Sequence, residues 1–89
     1  MPAAVRVMNG PVEPAGKYRL VEPFKGYSYV VIAPEAVTTE TKIYASSEEE
    51  GVGAIADPDK PRQLLALETF PEVLSCAEAL QEIGYQAAS

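Results

Sequence analysis

The sequence predicts a two-layer α+β domain: a three- to four-stranded, mainly antiparallel sheet packed by a C-terminal helix. Three observations point there. Segments that alternate in polarity, or are rich in β-branched and aromatic residues, recur between Lys17 and Ala45. Prolines and glycines break them at turn spacing. From Thr69 to Tyr85 the pattern changes to capping residues followed by helical apolar spacing.

Lys17–Glu22 alternates, with Tyr18 and Leu20 on one side and Lys17 and Arg19 on the other, as a half-buried strand requires. Pro23 stops it and Gly26 permits a turn. Tyr27–Ala33 is almost continuously apolar, the mark of a central strand, and Pro34 ends it. Glu40–Ala45 resumes the β pattern, with Thr41, Ile43 and Ala45 on one face. Ser46–Gly51 reads as a polar turn, Val52–Ala56 as an optional fourth strand, and residues 57–61 as a second turn. Gln63–Glu68 consists of good helix formers but is short enough to be either a buried strand or one helical turn; the helix alternative would take Asp59 as N-cap and Pro61 in its first turn. Two capping boxes, Thr69 with Glu72 and Ser75 with Glu78, precede Ala77, Leu80 and Ile83 at helical spacing. Gly84 then sits at the C-cap position. Residues 1–16 hold three prolines and two glycines and contain one candidate short strand, Ala4–Met8; the rest reads as a flexible or exchanged arm, leaving 17–89 as the domain.

Composition narrows the function. The 89 residues are 47% hydrophobic, with one cysteine, no histidine and a net charge of −6. A chain this short buries only about 60% of its unfolded surface, so a homodimer is expected to supplement its core. Without histidine the commonest general base and metal ligand are missing, and one cysteine makes neither a disulfide nor a thiolate zinc cage. Cys76, the sole candidate nucleophile, is flanked by Glu72 and Glu78, the wrong sign to stabilise a thiolate. A non-enzymatic protein with no cofactor and no metal site is the expectation.

Charge is divided along the chain. Up to Ala45 five bases face four acids; from Ser46 onward two bases face nine acids. Such a surface disfavours direct contact with nucleic acid or an anionic membrane and suits a basic protein partner. The apolar run Tyr27–Ala33 is too short to span a bilayer, and the first ten residues lack a signal peptide's basic start and apolar stretch. A cytoplasmic location is expected.

Two surfaces are candidates for contact. One is the acidic triplet Glu48, Glu49 and Glu50. The other is the tyrosine set Tyr18, Tyr27, Tyr29 and Tyr44, all in predicted strands. Tyr27 and Tyr29 share a face by alternation, and register decides whether Tyr18 and Tyr44 join them. The set either packs under the helix, forms an interface, or lines a small-molecule pocket between sheet and helix.

The order of segments also carries a resemblance. The strand Tyr29–Ala33 (YVVIA), the strand Glu40–Tyr44 (ETKIY), the acidic turn Ser46–Gly51 and the terminal Ala79–Tyr85 (ALQEIGY) follow one another. That series resembles small uncharacterised proteins of bacteriophages and mobile, integron-type gene cassettes, over Tyr27–Tyr85. The resemblance implies a compact accessory protein, an inhibitor, adaptor or binding module, and supplies no catalytic residues.

Overall fold

The structure, a computed structural model, describes residues 1–88. Its elements in order are β1 (Ala3–Arg6), β2 (Gly16–Phe24), β3 (Tyr27–Glu35), β4 (Glu40–Ser46), a 3₁₀ turn (Glu48–Glu50), β5 (Ala56–Asp57), β6 (Lys60–Leu64), β7 (Ala66–Phe70), α1 (Cys76–Glu82) and β8 (Gln86–Ala88). Six strands form one sheet in the order β7-β4-β3-β2-β1-β8, and β5 and β6 make a separate two-stranded ribbon. Neighbours are antiparallel except β1 and β8, which run parallel.

The expected α+β architecture is therefore corrected to a mostly-β one. A mixed six-stranded sheet replaces the three- to four-stranded sheet packed by a helix. Three strands account for the difference. β1 overlaps the candidate strand Ala4–Met8, but it belongs to no free arm; it lies inside the sheet, between β2 and β8. β7 takes up the second half of Gln63–Glu68, the segment open to helix or strand. Its helix formers are overridden because Thr41, Lys42 and Ile43 of β4 pair with Phe70, Thr69 and Glu68. β8 follows Gly84, whose φ of 89° ends the helix so that Gln86 can donate to Pro2 O at 2.9 Å. Asp59 caps no helix; its N–H donates to Asp57 Oδ1 at 2.9 Å in an Asx turn that closes the β5–β6 ribbon. The expected strand Val52–Ala56 reduces to Ala56–Asp57.

Of the two capping boxes only the second forms. Glu78 N donates to Ser75 Oγ at 3.1 Å, and Ser75 N to Glu78 Oε1 at 3.0 Å. Those backbone and side-chain bonds to Ser75 hold the Glu78 carboxyl below its usual range. Thr69 belongs to β7.

The core lies on one face of the sheet. Tyr18 and Leu20 of β2, Val30 and Ile32 of β3 and Ile43 of β4 meet Ala79 and Leu80 of α1, with Leu74 and Tyr85 beside them. The β2–β3 hairpin helps to enclose this face. Its register breaks between Arg19 and Phe24, and beyond the break Phe24 meets Tyr85 edge to face at 6.3 Å. Tyr85 Oη donates to Glu22 O at 2.7 Å. At the hairpin tip, Lys25 Nζ donates to Leu67 O at 2.9 Å and lies 3.6 Å from the Glu68 carboxylate, which ties the tip to edge strand β7. No helix among the described residues is long and apolar enough to cross a membrane.

One buried hydroxyl joins the approach to α1 to the sheet. Thr41 Oγ1 donates to Glu72 O and accepts from Leu74 N, both at 2.8 Å, in a fully buried position. Replacing it with valine keeps the shape and strands both main-chain groups. Thr41→Val is expected to cost about 1–3 kcal/mol, the desolvation penalty of buried groups left unpaired. Urea unfolding with an unchanged midpoint would contradict that role.

Candidate functional site

The ladder divides the tyrosines between the two faces of the sheet. Tyr18 pairs with Val30 and is buried in the core. Arg19 pairs with Tyr29, and Tyr29 with Ser46; Lys17 pairs with Val31, and Val31 with Tyr44. Directly opposed residues share a face, so Lys17, Arg19, Tyr29, Val31 and Tyr44 lie together on the side away from the core. Tyr27 lies beyond the register break, where it pairs with Phe24. Register, left open by the sequence, puts Tyr44 on the same face as Tyr29, and Tyr18 in the core. Tyr29 and Tyr44 line no pocket between sheet and helix, because they lie on the face away from α1.

One side chain organises the outer face. Lys17 is only 2% exposed, and its ammonium donates to Ser47 O at 2.6 Å and Gly51 O at 2.7 Å. It also lies 5.3 Å from the centre of the Tyr29 ring, a cation–π distance. Ser46 Oγ adds a 2.8 Å bond to Gly53 O. Together these bonds draw residues 47–53 back towards the sheet and place Glu48, Glu49 and Glu50 in an exposed 3₁₀ turn. Gly51 follows with φ 61°.

Next to this turn is an open cleft of about 340 Å³. Its walls are Val5 and Val7 of the β1 region, Lys17 and Arg19 of β2, and Tyr29 of β3, with Asn9, Glu48 and Gly51 at its margin. Arg6 also borders it, but its guanidinium is engaged elsewhere. Nη1 donates to Tyr18 Oη at 3.2 Å, and Nη2 to Ala15 O at 2.8 Å.

That engagement forms a second recess, of about 320 Å³, where Arg6, Tyr18 and Cys76 meet Glu13 and Pro14. The Cys76 thiol donates to Pro14 O at 3.2 Å. Burial pushes the thiol up from its ordinary value, and the opposing pull of Tyr18 and Arg6 does not reverse it. Burial also raises the Tyr18 phenol. Arg6, raised chiefly by its bond to Tyr18, remains a cation. Near neutral pH the recess therefore presents a protonated thiol, a protonated phenol and a guanidinium. Its chemistry is that of a hydrogen-bonded anchor between the 11–15 loop and α1.

No group of three His, Cys, Asp or Glu side chains suited to holding a metal ion occurs among the described residues. No family model, curated protein or solved structure matches the chain.

The sequence reading singled out the tyrosines and the acidic triplet but omitted Lys17 and Arg19. The available signal was the alternation of β2, which sets these two cations opposite Tyr18 and Leu20. The return of residues 47–53 had no such signal, because Lys17 meets its acceptors 30 and 34 positions away.

The Cys76 environment has a measurable consequence. A thiol held above its unfolded value favours the protonated native state, so its contribution to stability is complete below the unfolded pKa and is lost as pH rises through the folded one. Thiol labelling near neutral pH is expected to be far slower in the folded chain than in urea, with the gap narrowing as the solution becomes alkaline. Equal labelling rates in the two states at neutral pH would contradict the buried, protonated assignment.

Proposed function

We propose that the chain is a non-enzymatic protein-interaction module that contacts a basic partner through the β5–β6 ribbon and the adjoining turn Glu48–Glu50. The observation that carries this reading is the exposure of β6, where all five residues face solvent. The base of the ribbon is held by main-chain bonds: Ala45 N to Leu65 O at 2.9 Å, and Ile55 N to Ala45 O and Leu65 N to Ile55 O, both at 2.8 Å. Beyond that base every residue of β6 is exposed. A two-stranded hairpin of this kind is marginal alone in water and gains stability when a partner covers it. Exposed Leu64 and Val52 add apolar contact. Glu48, Glu49, Glu50, Asp57 and Asp59 outnumber Lys60 and Arg62, which makes the region acidic and complementary to a basic surface.

An accessory role fits the resemblance to phage and gene-cassette proteins, and the single free thiol fits a cytoplasmic setting. A second reading rests on a separate observation. The cleft beside Lys17 and Arg19 is open and polar at one wall, apolar at the other, and of a size suited to a small molecule.

A photo-crosslinker at Gln63 is expected to capture a basic protein from a cell lysate. Changing Glu48, Glu49 and Glu50 to Lys is expected to reduce that capture severalfold, as is raising the salt concentration. Capture that ignores both changes contradicts the electrostatic contact. Sedimentation of the same proteins tests homodimerisation: a wild-type monomer across micromolar concentrations removes the dimer from the reading.

A further inference from the structure

We propose that the outer-face cleft binds a small organic anion, with its acidic group held by Arg19 and Lys17 and its apolar body against Tyr29 and Val5. The inference rests on the small-molecule reading given above and supplies the chemical class of the ligand.

The cleft holds unspent hydrogen-bond donors. The Arg19 side chain is exposed and has no hydrogen bond or ion pair with any described residue, so the full guanidinium fork is available. Lys17 has three N–H donors, of which two are used on Ser47 O and Gly51 O. The only ion pair among the described residues is that of Lys25 with Glu68, so no carboxylate neutralises the nearly buried Lys17 ammonium. The Asn9 amide adds donors at the margin, and Glu48 is the one acid lining the cleft. Arg6 is already spent on Tyr18 and main-chain carbonyls.

A cleft in which donors outnumber acceptors matches a ligand rich in acceptors. A carboxylate or phosphate group satisfies the guanidinium fork bidentately, and an ammonium partly removed from water attracts it more strongly than an exposed one would. The remaining wall, Val5, Val7 and the Tyr29 ring, suits a flat apolar body. On a chain with a net charge of −6, such a group of cations is a local exception.

The test is an amide NMR titration with benzoate, phenyl phosphate and the uncharged isostere benzamide. Benzoate, phenyl phosphate or both are expected to shift the amides of Lys17, Arg19, Tyr29 and Gly51, and preference between the two identifies the acidic group. Benzamide is expected to bind about tenfold more weakly or worse, the loss of one charge-assisted hydrogen bond. The Arg19 side chain is exposed and unbonded, so Arg19→Gln is expected to keep the folded spectrum and weaken anion binding about tenfold on the same grounds, while Arg19→Lys recovers part of it. Benzamide binding in the cleft as tightly as benzoate overturns the anionic class and leaves the small-molecule reading standing. No shift in the cleft with any of the three probes overturns both. Unchanged anion affinity in Arg19→Gln, or shifts confined to another surface, overturns the assignment of this site.

Discussion

The ammonium of Lys17 joins the two differently charged halves of this chain. The N-terminal half supplies the sheet's central strands and a near-neutral charge; the half from Ser46 onward carries the acids. Lys17 leaves β2 on the face away from the core and meets two carbonyls of the acidic turn. A lysine that is 2% exposed requires such partners, because an ammonium withdrawn from water without acceptors is strongly disfavoured. The carbonyls of Ser47 and Gly51 and the Tyr29 ring meet that requirement and, in doing so, fix the turn against the sheet. The cleft, the exposed glutamates and the base of the ribbon all lie next to this contact.

The opposite face depends on a different economy. Its apolar residues are covered by one short helix, by the segment entering it, and by the bent β2–β3 hairpin. Seven helical residues provide little apolar area, so polar fastenings complete the closure. Thr41 binds the main chain before α1, Tyr85 holds Glu22 O, and Lys25 ties the hairpin tip to β7. The core is thus closed on one side of the sheet, and binding chemistry is left to the other side and to the ribbon.

The strands that follow a strong period were legible from sequence. Lys17–Glu22, Tyr27–Ala33 and Glu40–Ala45 all lie within observed strands, because each must bury one face or both. β1 was legible only as a candidate strand at Ala4–Met8 with no partner, and β8 was not legible, since Gln86–Ala88 is too short and too rich in small residues to display a period. Their pairing comes from the tertiary fold, with the parallel β1–β8 ladder linking the two ends of the chain. Gln63–Glu68 illustrates the limit of propensity, since helix formers are divided between two strands, Gln63 and Leu64 in the β5–β6 ribbon and Ala66–Glu68 on the ladder that β4 offers. For the site, Tyr29 and Tyr44 were placed on a strand face, but only register showed that Tyr18 faces the other way. Lys17 and Arg19 became site residues once the distant turn was seen to return beside them.

The central claim is that Lys17 holds the acidic half against the sheet. Hydrogen exchange on Lys17→Met tests it most directly, because methionine keeps much of the apolar stem and removes the ammonium. The account predicts faster exchange at the amides of Glu50 and Gly53, whose bonds to Ser47 O and Glu50 O close the turn, with protection kept at Val30 and Ile32 in the central strand. Unchanged protection throughout residues 47–53 in a folded Lys17→Met protein would contradict it.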